Sequence, residues 1–485
     1  MPDRHLDKSI LREYDIRGIV GQSLHIADAA ALGRAFGTMI RRAGGRSCAL
    51  GRDGRLSSPQ LARAFVRGLK ATGIDVYRIG VGPTPMLYFA EHHLSADAAA
   101  MVTGSHNPAD YNGFKLVLQG RTMHGADILE LGRIIRDDAY SSGNGRTLRR
   151  SVLGAYTMRL LRDAELARPL SVAWDPGNGA ACPVIERMVR NLPGRHIVLN
   201  GELDGTFPAH HPDPTLPETL DHLRHTVLTR NCDLGIAFDG DGDRLGVIDN
   251  RGSILWGDQL MMLWSEDILR RQPGATIIAD VKTSQSLFDI VERLGGKPVM
   301  WRTGHSLIKA KMRETGAALA GEMSGHIFFA DRYFGFDDAL YAAIRLLNLV
   351  ARGNRSLADL HDRLPKSSTT PELRIDCDDT RKFSVVDEVR GRLQAAGADV
   401  NDIDGVRVRT SGGWWLLRAS NTQNALVARC EASDAAGLER LKASLAEQLL
   451  ASGLPEQQIS ALLGNGSDTA ERIMASHPSR ASAVA

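Results

Sequence analysis

Short apolar runs that end in polar loops recur along the chain as far as about residue 326. An apolar run bounded by turn residues is typical of a buried strand, and the amphipathic pattern after each loop is typical of a helix. The sequence predicts three such strand, loop and helix units, which lie at Ser47–Asp53 with Pro59–Thr72, Leu170–Gly179 with Cys182–Arg190, and Ala275–Ser284 with Leu287–Leu294.

Each unit contains a second strand that ends in a polar loop. Strands alternating with helices predict α/β layering, and ligands of such sheets bind beyond the carboxyl ends of the strands. We therefore expect three similar domains that offer one polar loop each at an equivalent place. The second strands and their loops are Ala98–Val102 with Thr103–Pro108, Leu234–Phe238 with Asp239–Arg244, and Ala317–Ala320 with Gly321–His326.

The pattern changes after about Lys366, where strand patterns dominate. The predicted strands are Glu372–Cys377, Gly405–Thr410, Trp414–Leu417 and Ala425–Glu431, and the predicted helices are Lys382–Ala396 and Ala435–Ala451. This pattern indicates a smaller α+β domain. The fold class expected is α/β, with three similar mixed α/β domains and the α+β domain arranged around a central cleft. We place the domains at residues 1–149, 150–254, 255–366 and 367–460, followed by a disordered tail at 461–485.

The length of the chain and its charge balance limit the classes of function that the sequence allows. The chain has 485 residues, too many for one core, and its 59 basic residues nearly balance its 57 acidic ones. No basic run, secretory signal or long apolar stretch occurs, so we expect a small-molecule ligand and neither a nucleic acid nor a membrane as partner. The five cysteines have no metal-binding spacing, which indicates reduced thiols in a cytoplasmic protein.

The run Asp239–Arg244 concentrates the candidate chemistry. In an extended segment, Asp239, Asp241 and Asp243 would point the same way. Carboxylates that close repel one another, and oxygen-only ligands favour magnesium or calcium. An EF-hand is excluded because Arg244 and Asn250 stand where its glycine and bidentate glutamate belong. The alternative interpretation is a polar turn after a buried strand.

Ser105 is the candidate nucleophile of the first polar loop. The glycines of an esterase nucleophile elbow are missing, because Thr103 and Asn107 occupy their places, although His106 is adjacent. A phosphoryl group on Ser105 would add an oxygen ligand to the metal, which would neutralise charge during phosphoryl transfer. The alternative is a turn before a proline.

Two further segments carry weaker signals. Arg418–Thr422 combines a guanidinium with small polar side chains that suit a phosphate, although a polar hairpin turn has the same composition. Tyr14 and Arg17 lie in a polar stretch, LREYDIRG, whose residues alone indicate a turn with a surface arginine.

Four motifs together make the chain resemble the α-D-phosphohexomutase superfamily from about residue 6 to about residue 455. They are TGSHNP at 103–108, DGDGDR at 239–244, GEMSGH at 321–326 and RASNT at 418–422. The chain is most similar to the bacterial phosphomannomutase/phosphoglucomutase branch, because Met323 and Asn421 differ from the usual phosphoglucosamine mutase pattern. Gly104 replaces a common alanine, and Gln423-Asn424 lacks the proline that often follows the fourth motif.

The resemblance implies a role for each motif. Ser105 would be the phosphoserine and, with Asp239, Asp241 and Asp243, would bind one Mg²⁺ per chain. The other residues implied in catalysis are His106, Lys115, Arg17, Arg244 and His326. Those implied in substrate binding are Tyr14, Arg17, Lys282, His305, Glu322, Ser324, His326, Arg418, Ser420, Asn421 and Thr422.

The implied reaction interconverts hexose 1-phosphate and hexose 6-phosphate, of mannose, glucose or both. Phosphoserine 105 would pass its phosphoryl group to the sugar, and glucose 1,6-bisphosphate would serve as intermediate and activator. We expect a carbohydrate-metabolism enzyme that is a monomer, with a dimer as the alternative. The rival functions are a phosphoglucosamine mutase, a magnesium-dependent sugar phosphatase and a silent sugar-phosphate binding protein.

Overall fold

The computed structural model describes residues 6–420 and 424–463, whose strands form four sheets in separate stretches of the sequence. The described chain packs as two compact units. The first contains the chain up to Asp280 together with Leu287–Val299 and Gly304–Leu364. The second contains Val281–Ser286, Met300–Thr303 and the chain from Pro365 onward. The fold is of the mixed α/β class that the sequence predicts.

The first sheet has the strand order β1-β5-β4-β2-β3-β7, with β6 beside β5. Strands β2, β3 and β4 are parallel, and β2 and β4 are apolar because both faces are covered. The strands are β1 (Ile16–Ile19), β2 (Ser47–Arg52), β3 (Asp75–Val81), β4 (Ala98–Val102), β5 (Tyr111–Leu118), β6 (Arg121–Thr122) and β7 (Thr147–Arg149). The helices are α1 (Ile26–Arg42), α2 (Ser58–Ala71), α3 (Thr84–His93) and α4 (Ala126–Arg136), after a 3-10 helix at Lys8–Ile10.

The second sheet has the order β12-β11-β10-β8-β9, in which β8 and β10 are parallel and β11 is antiparallel to β10. Its strands are β8 (Leu170–Asp175), β9 (Gly194–Val198), β10 (Leu234–Phe238), β11 (Leu245–Asp249) and β12 (Ile254–Leu255). The helices are α5 (Leu153–Leu161), α6 (Cys182–Val189) and α7 (Asp221–Thr229), with a 3-10 helix at Pro217–Leu220.

The third sheet has the order β14-β13-β15-β16. Its strands are β13 (Thr276–Asp280), β14 (Lys297–Trp301), β15 (Leu319–Gly321) and β16 (Ile327–Phe329). The helices of this region are α8 (Gly257–Arg271), α9 (Gln285–Arg293), α10 (His305–Thr315), α11 (Ala339–Ala351) and α12 (Leu357–Asp362).

These three sheets place their candidate loops identically. Each loop follows a buried strand and leads into an antiparallel partner, in the pairs β4–β5, β10–β11 and β15–β16. The sequence predicts the first strand of each pair but not the returning strand. The candidate residues therefore lie in tight reversals at the carboxyl ends of β4, β10 and β15.

The fourth sheet belongs to the second unit and is antiparallel, with the order β17-β22-β21-β20-β19 and β18 beside β22. Its strands are β17 (Ser368–Thr369), β18 (Leu373–Asp376), β19 (Asp399–Asn401), β20 (Val406–Thr410), β21 (Gly413–Ala419) and β22 (Ala425–Ala432). The helices are α13 (Lys382–Ala395), α14 (Ala435–Ala451) and α15 (Glu456–Leu463). Residues 461–463, expected in the tail, are therefore helical, and residues 464–485 lie outside the described chain.

Aromatic packing supports the first sheet. Phe65 of α2 stacks on Phe114 of β5 with ring centroids 4.8 Å apart, and Phe36 of α1 packs against Phe65. All three are fully buried, which stabilises the fold by about 1.5–3 kcal/mol for each side chain. No helix in residues 6–420 and 424–463 combines the length and hydropathy that a membrane span requires.

Candidate active site

The acidic loop, residues 239–244, connects β10 to β11. It is a turn rather than the extended segment predicted, so the reason given for its convergence was wrong. The chain reverses at Gly242, whose φ is +72°, and Asp239 Oδ1 accepts the backbone N–H groups of Asp243 and Arg244 at 3.1 Å each. This turn brings carboxylate oxygens of Asp239, Asp241 and Asp243 within 4.8 Å of one another.

Lys115 balances part of this negative charge. Its Nζ lies 2.8 Å from Asp241 Oδ2 and also contacts Asp243 Oδ2. Burial would lower the pKa of Lys115, but Asp241 and Asp243 outweigh burial and raise it. Lys115 is therefore a charged ammonium group, and its charge partly neutralises the carboxylates of the acidic loop.

The carboxylates themselves are fully buried. Burial, with Asp241 and Asp243, raises the pKa of Asp239 well above its usual range. Burial acts the same way on Asp243, but Lys115 and His326 hold the pKa of that carboxyl well below its usual range. Asp241 Oδ1 is buried and accepts no hydrogen bond from the described residues. An unsatisfied oxygen in an all-oxygen set fits a hard divalent cation.

Backbone hydrogen bonds tie the acidic loop to two other segments. The Thr84 N–H donates to the Asp241 carbonyl at 2.8 Å, and the Leu245 N–H donates to the Gly325 carbonyl at 3.2 Å. The Thr84 hydroxyl also donates to Asp241 Oδ2 at 2.5 Å. The loop is thus held from the first sheet and from the third sheet at once.

The serine loop, residues 103–110, connects β4 to β5. Ser105 is 3% exposed and has a φ of +48°, a left-handed value that is uncommon outside glycine. Its Oγ donates to Asp239 Oδ2 at 3.2 Å and lies 3.2 Å from His106 Nδ1. Burial, followed by Arg244 and Arg17, holds the pKa of His106 well below its usual range. The hydroxyl therefore lies between a carboxylate and a neutral imidazole.

Arg17 is an interior ligand of this loop rather than the surface residue of a turn. It lies on β1, opposite Gly113 of β5, and its side chain is 13% exposed. Its Nη1 donates to the Gly104 carbonyl at 2.6 Å and to the Asn107 side chain, and its Nη2 contacts Asp15. The turn interpretation was wrong because strand pairing with β5 carries Arg17 inward.

The third candidate loop, residues 322–326, connects β15 to β16 and is called the sugar loop because Glu322 and Ser324 are predicted to bind the substrate. His326 Nδ1 lies 2.6 Å from Glu322 Oε2, to which the Ser324 hydroxyl also donates at 3.1 Å. The Gly304 N–H donates to Glu322 Oε1 at 2.6 Å. His326 Nε2 lies 3.3 Å from Asp243 Oδ1, so the sugar loop and the acidic loop meet at this ring.

Neighbouring charged groups determine the pKa of His326. Burial and Arg244 lower its pKa, but Asp243 and Glu322 outweigh them and raise it to about 9. Arg244 Nε lies 3.3 Å from His326 Nε2. His305 stacks on His326 with centroids 5.6 Å apart, and the Tyr14 ring meets His305 edge-on at 6.5 Å. The structure therefore brings the predicted residues of the first compact unit together.

Sequence reasoning missed several neighbours of these residues. Arg55 and Thr84 contact the serine and acidic loops, and Asp337 lies 3.4 Å from His305 and 2.8 Å from Lys309 Nζ. The sequence could have indicated Arg55, because it lies in a polar loop directly after the strand β2, as the candidate residues lie in polar loops directly after β4, β10 and β15. Thr84 and the Lys309–Asp337 pair gave none that composition or spacing distinguishes from ordinary helix and loop residues.

The predicted residue Lys282 belongs to the second compact unit. Its Nζ lies 3.0 Å from Glu372 Oε2, and Arg429 donates to its backbone carbonyl. The Lys282 ammonium lowers the pKa of Glu372 to about 2. Lys282 is therefore held in an ion pair in this structure.

The predicted phosphate loop also belongs to the second unit. Arg418 lies near the end of β21, is buried, and donates from Nε to Asp404 Oδ2 at 3.1 Å. The Ser420 N–H donates to the Ala425 carbonyl at 2.9 Å. Asn421 and Thr422, which are also predicted to bind phosphate, lie outside the described residues.

Family models match four successive stretches of the chain. All four are described as phosphoglucomutase/phosphomannomutase: alpha/beta/alpha domain I at residues 8–140, domain II at 154–252, domain III at 256–367 and the C-terminal domain at 372–448.

Individual proteins match over nearly their whole length. A phosphomannomutase/phosphoglucomutase from Pseudomonas putida is 45% identical over 445 residues, covering 92% of this chain and 96% of its own. A phosphoglucomutase from Neisseria gonorrhoeae is 42% identical over 441 residues, covering 90% and 96%. A crystal structure of a phosphoglucomutase/phosphomannomutase family protein from Burkholderia thailandensis aligns with a TM-score of 0.88 at 43% identity, covering 92% and 98%.

Proposed function

Because the chain belongs to the phosphoglucomutase/phosphomannomutase family and is a phosphohexomutase, we propose that Ser105 carries the phosphoryl group that its reaction transfers. The observation that carries this assignment is the buried Ser105 hydroxyl 3.2 Å from Asp239, at the edge of the acidic loop. The enzyme is an isomerase, and its net reaction is an intramolecular phosphotransfer.

Phosphoserine 105 gives its phosphoryl group to the free hydroxyl of a hexose monophosphate, forming a hexose 1,6-bisphosphate. The P–O bond to Oγ breaks, the serine oxygen takes up a proton, and the sugar hydroxyl loses one. His106, whose Nδ1 lies 3.2 Å from Oγ, is the residue proposed to exchange the proton at the serine. Lys115, Arg17, Arg244 and His326 surround the same region and are the proposed catalytic cations. The second half-reaction reverses these steps with the other phosphate.

The metal proposed for the acidic loop is one Mg²⁺ per chain. Asp239, Asp241 and Asp243 would hold it, with the phosphoryl oxygen of Ser105. Support comes from the unsatisfied Asp241 Oδ1 and from the all-oxygen donor set. When bound, magnesium neutralises charge on the phosphoryl group during transfer.

Substrate contacts are proposed for two groups of residues. Glu322 and Ser324 bind sugar hydroxyls, which their shared position in the sugar loop supports. The other proposed contacts to the hexose phosphate are Tyr14, Arg17, Lys282, His305, His326, Arg418, Ser420, Asn421 and Thr422. Glucose 1,6-bisphosphate would act as activator because it phosphorylates an unphosphorylated Ser105.

The domain boundaries 1–149, 150–254, 255–366 and 367–460 are kept as a proposal, as are a monomeric state and a cytoplasmic location. Separate sheets support the domains. The free cysteines 48, 182, 232, 377 and 430 support a reducing compartment.

The test is turnover on mannose, glucose and glucosamine 1-phosphates, with magnesium and a trace of glucose 1,6-bisphosphate. Fast conversion of the first two and little of the third is expected. A preference for glucosamine 1-phosphate would make the chain a phosphoglucosamine mutase. Steady release of inorganic phosphate from the bisphosphate, without isomerisation, would make it a phosphatase.

A further inference from the structure

A buried guanidinium lies beneath the serine loop. Arg55 is fully buried, and Nη2 donates to the Ser105 carbonyl at 2.7 Å and the Asn107 carbonyl at 2.6 Å. Nη1 donates to the Tyr111 carbonyl at 3.1 Å and also contacts the Pro108 carbonyl. The Arg55 guanidinium therefore donates to four backbone carbonyls between Ser105 and Tyr111.

The Asp53 carboxylate holds the Arg55 side chain in place. Asp53 Oδ2 lies 3.2 Å from Arg55 Nε and accepts the Gly104 N–H at 3.1 Å. The buried carboxylate thus holds the guanidinium and the residue before the serine together. A Cβ on Gly104 would lie 2.4 Å from Arg55 Nε and Cζ, so the glycine leaves room for this close approach.

The loop needs such support because Ser105 has a left-handed backbone. A non-glycine residue at a φ of +48° costs free energy, and persists only when its surroundings over-determine it. Arg55 grips the carbonyl of that residue with charge-assisted hydrogen bonds, which are stronger than neutral ones. Lysine offers a compact point charge in place of this planar fork.

We propose that Arg55 is a positioning residue that holds Ser105 in its left-handed conformation and so aims Oγ at the transferred phosphoryl group. This inference rests on the proposed role of Ser105. Arg55 acts through the loop backbone, since the hydrogen bonds of its guanidinium go to carbonyl oxygens and its ion pair is with Asp53, whereas Oγ receives no bond from it. Phosphoryl transfer depends on alignment, and a misplacement of about 1 Å costs about 100-fold in rate.

The first experiment measures kcat and KM for glucose 1-phosphate in Arg55→Ala. We expect kcat to fall about 100-fold while KM changes less than about threefold, because the substrate contacts stay in place. Added guanidinium ion at millimolar concentration should fill the vacated site and restore kcat at least about tenfold, whereas methylammonium should not. Arg63→Ala, an exposed arginine of α2, is the matched control with unchanged kcat.

The second experiment is a stability cycle that plain loss of packing would not reproduce. Ser105→Gly relieves the left-handed strain and should raise Tm by about 2 °C in the otherwise unchanged protein. In Arg55→Ala the loop is free to relax, so the same glycine should raise Tm by less than about 0.5 °C. Equal gains in both backgrounds would contradict the inference.

The outcomes separate this inference from the proposed function. Wild-type kcat in Arg55→Ala, with Ser105→Ala inactive, overturns the positioning role and leaves the phosphoserine assignment standing. Activity in Ser105→Ala overturns the phosphoserine assignment itself. Where Arg55→Ala does not fold, Arg55→Lys replaces it, and a wild-type kcat in that variant also overturns the inference.

Discussion

The serine loop and the acidic loop occupy the same place in two similar sheets, yet different interactions hold them. The acidic loop forms its own turn, with a left-handed glycine and with the Asp239 carboxylate, which accepts two of the loop's N–H groups, and Thr84 binds it from outside. The serine loop has a left-handed serine instead, and its carbonyls are bonded to Arg17 and Arg55 from outside.

This difference follows from what each loop presents. The acidic loop must gather carboxylates, and glycines allow that without backbone strain. The serine loop must present a side chain at the apex of its reversal, so glycine cannot stand there. We propose that the guanidinium groups of Arg17 and Arg55 offset the backbone strain at Ser105. The contrast predicts that substitutions in the two loops fail in different ways.

The largest expected effect is that of Ser105→Ala. Without the phosphoryl acceptor, kcat should fall by at least about 10⁴-fold, measured as isomerisation of glucose 1-phosphate. Magnesium affinity should also fall, because the phosphoryl oxygen of Ser105 is one of the proposed ligands, while the three carboxylates of the acidic loop remain. Ser95→Ala is the matched control, since Ser95 is an exposed serine with a φ of +49°. A catalytic loss in Ser95→Ala, or turnover in Ser105→Ala, would contradict this prediction.

The next effect is that of Asp241→Ala on the metal. The wild-type Tm should rise with magnesium concentration, as expected for a ligand that binds the folded state. Removing one of three carboxylate ligands should weaken that binding at least about 100-fold, so the variant's Tm should not respond at millimolar magnesium. Asp221→Ala, which removes an exposed carboxylate of α7, should respond as the wild type does. Equal shifts in all three proteins would remove the acidic loop as the metal site.

A third test concerns Gly242, the residue of the acidic loop that has a left-handed backbone. In Gly242→Ala, φ of +72° becomes costly and the new Cβ would lie 2.9 Å from Pro83 Cβ. We expect a loss of about 3 kcal/mol, measured by urea denaturation. Gly120→Ala has the same φ of +72° but open space, and should lose only about 1 kcal/mol. Equal losses would show that crowding around the acidic loop is unimportant.

The smallest effect tests external support of the acidic loop. In Thr84→Val, Asp241 Oδ2 loses a buried hydroxyl donor at 2.5 Å, which should cost about 1.5 kcal/mol of unfolding free energy. Thr84→Ser keeps the donor and removes only a buried methyl group, which should cost about 0.8 kcal/mol. The measurement is the urea midpoint without magnesium, and a serine variant as unstable as the valine variant would assign the loss to packing.

The same contrast explains what the sequence could predict. The acidic loop contains its own turn glycine and its own carboxylates, so its sequence predicts a cation site, although it does not predict the turn that brings the carboxylates together. The sequence also shows the serine motif, but it does not show the arginine that binds the backbone of this loop, because Arg55 lies 50 residues before the carbonyl to which it donates. A polar loop does not reveal which acceptors its arginine reaches. Likewise, the residues around Arg17 alone indicate a surface arginine, because the pairing of β1 with β5 is a long-range contact that a local pattern does not show.

The main-chain bonds at Asp241 and Leu245 set the order in which the site can be assembled. Thr84 belongs to the first sheet's helices, the acidic loop to the second sheet, and Gly325 to the reversal of the third. A growing chain that ends before Gly325 lacks one of these partners, however well its first two sheets are folded. The proposed catalytic centre can therefore be completed only after Gly325 has been synthesised, and a chain truncated before that residue leaves the Leu245 N–H without its partner in the third sheet.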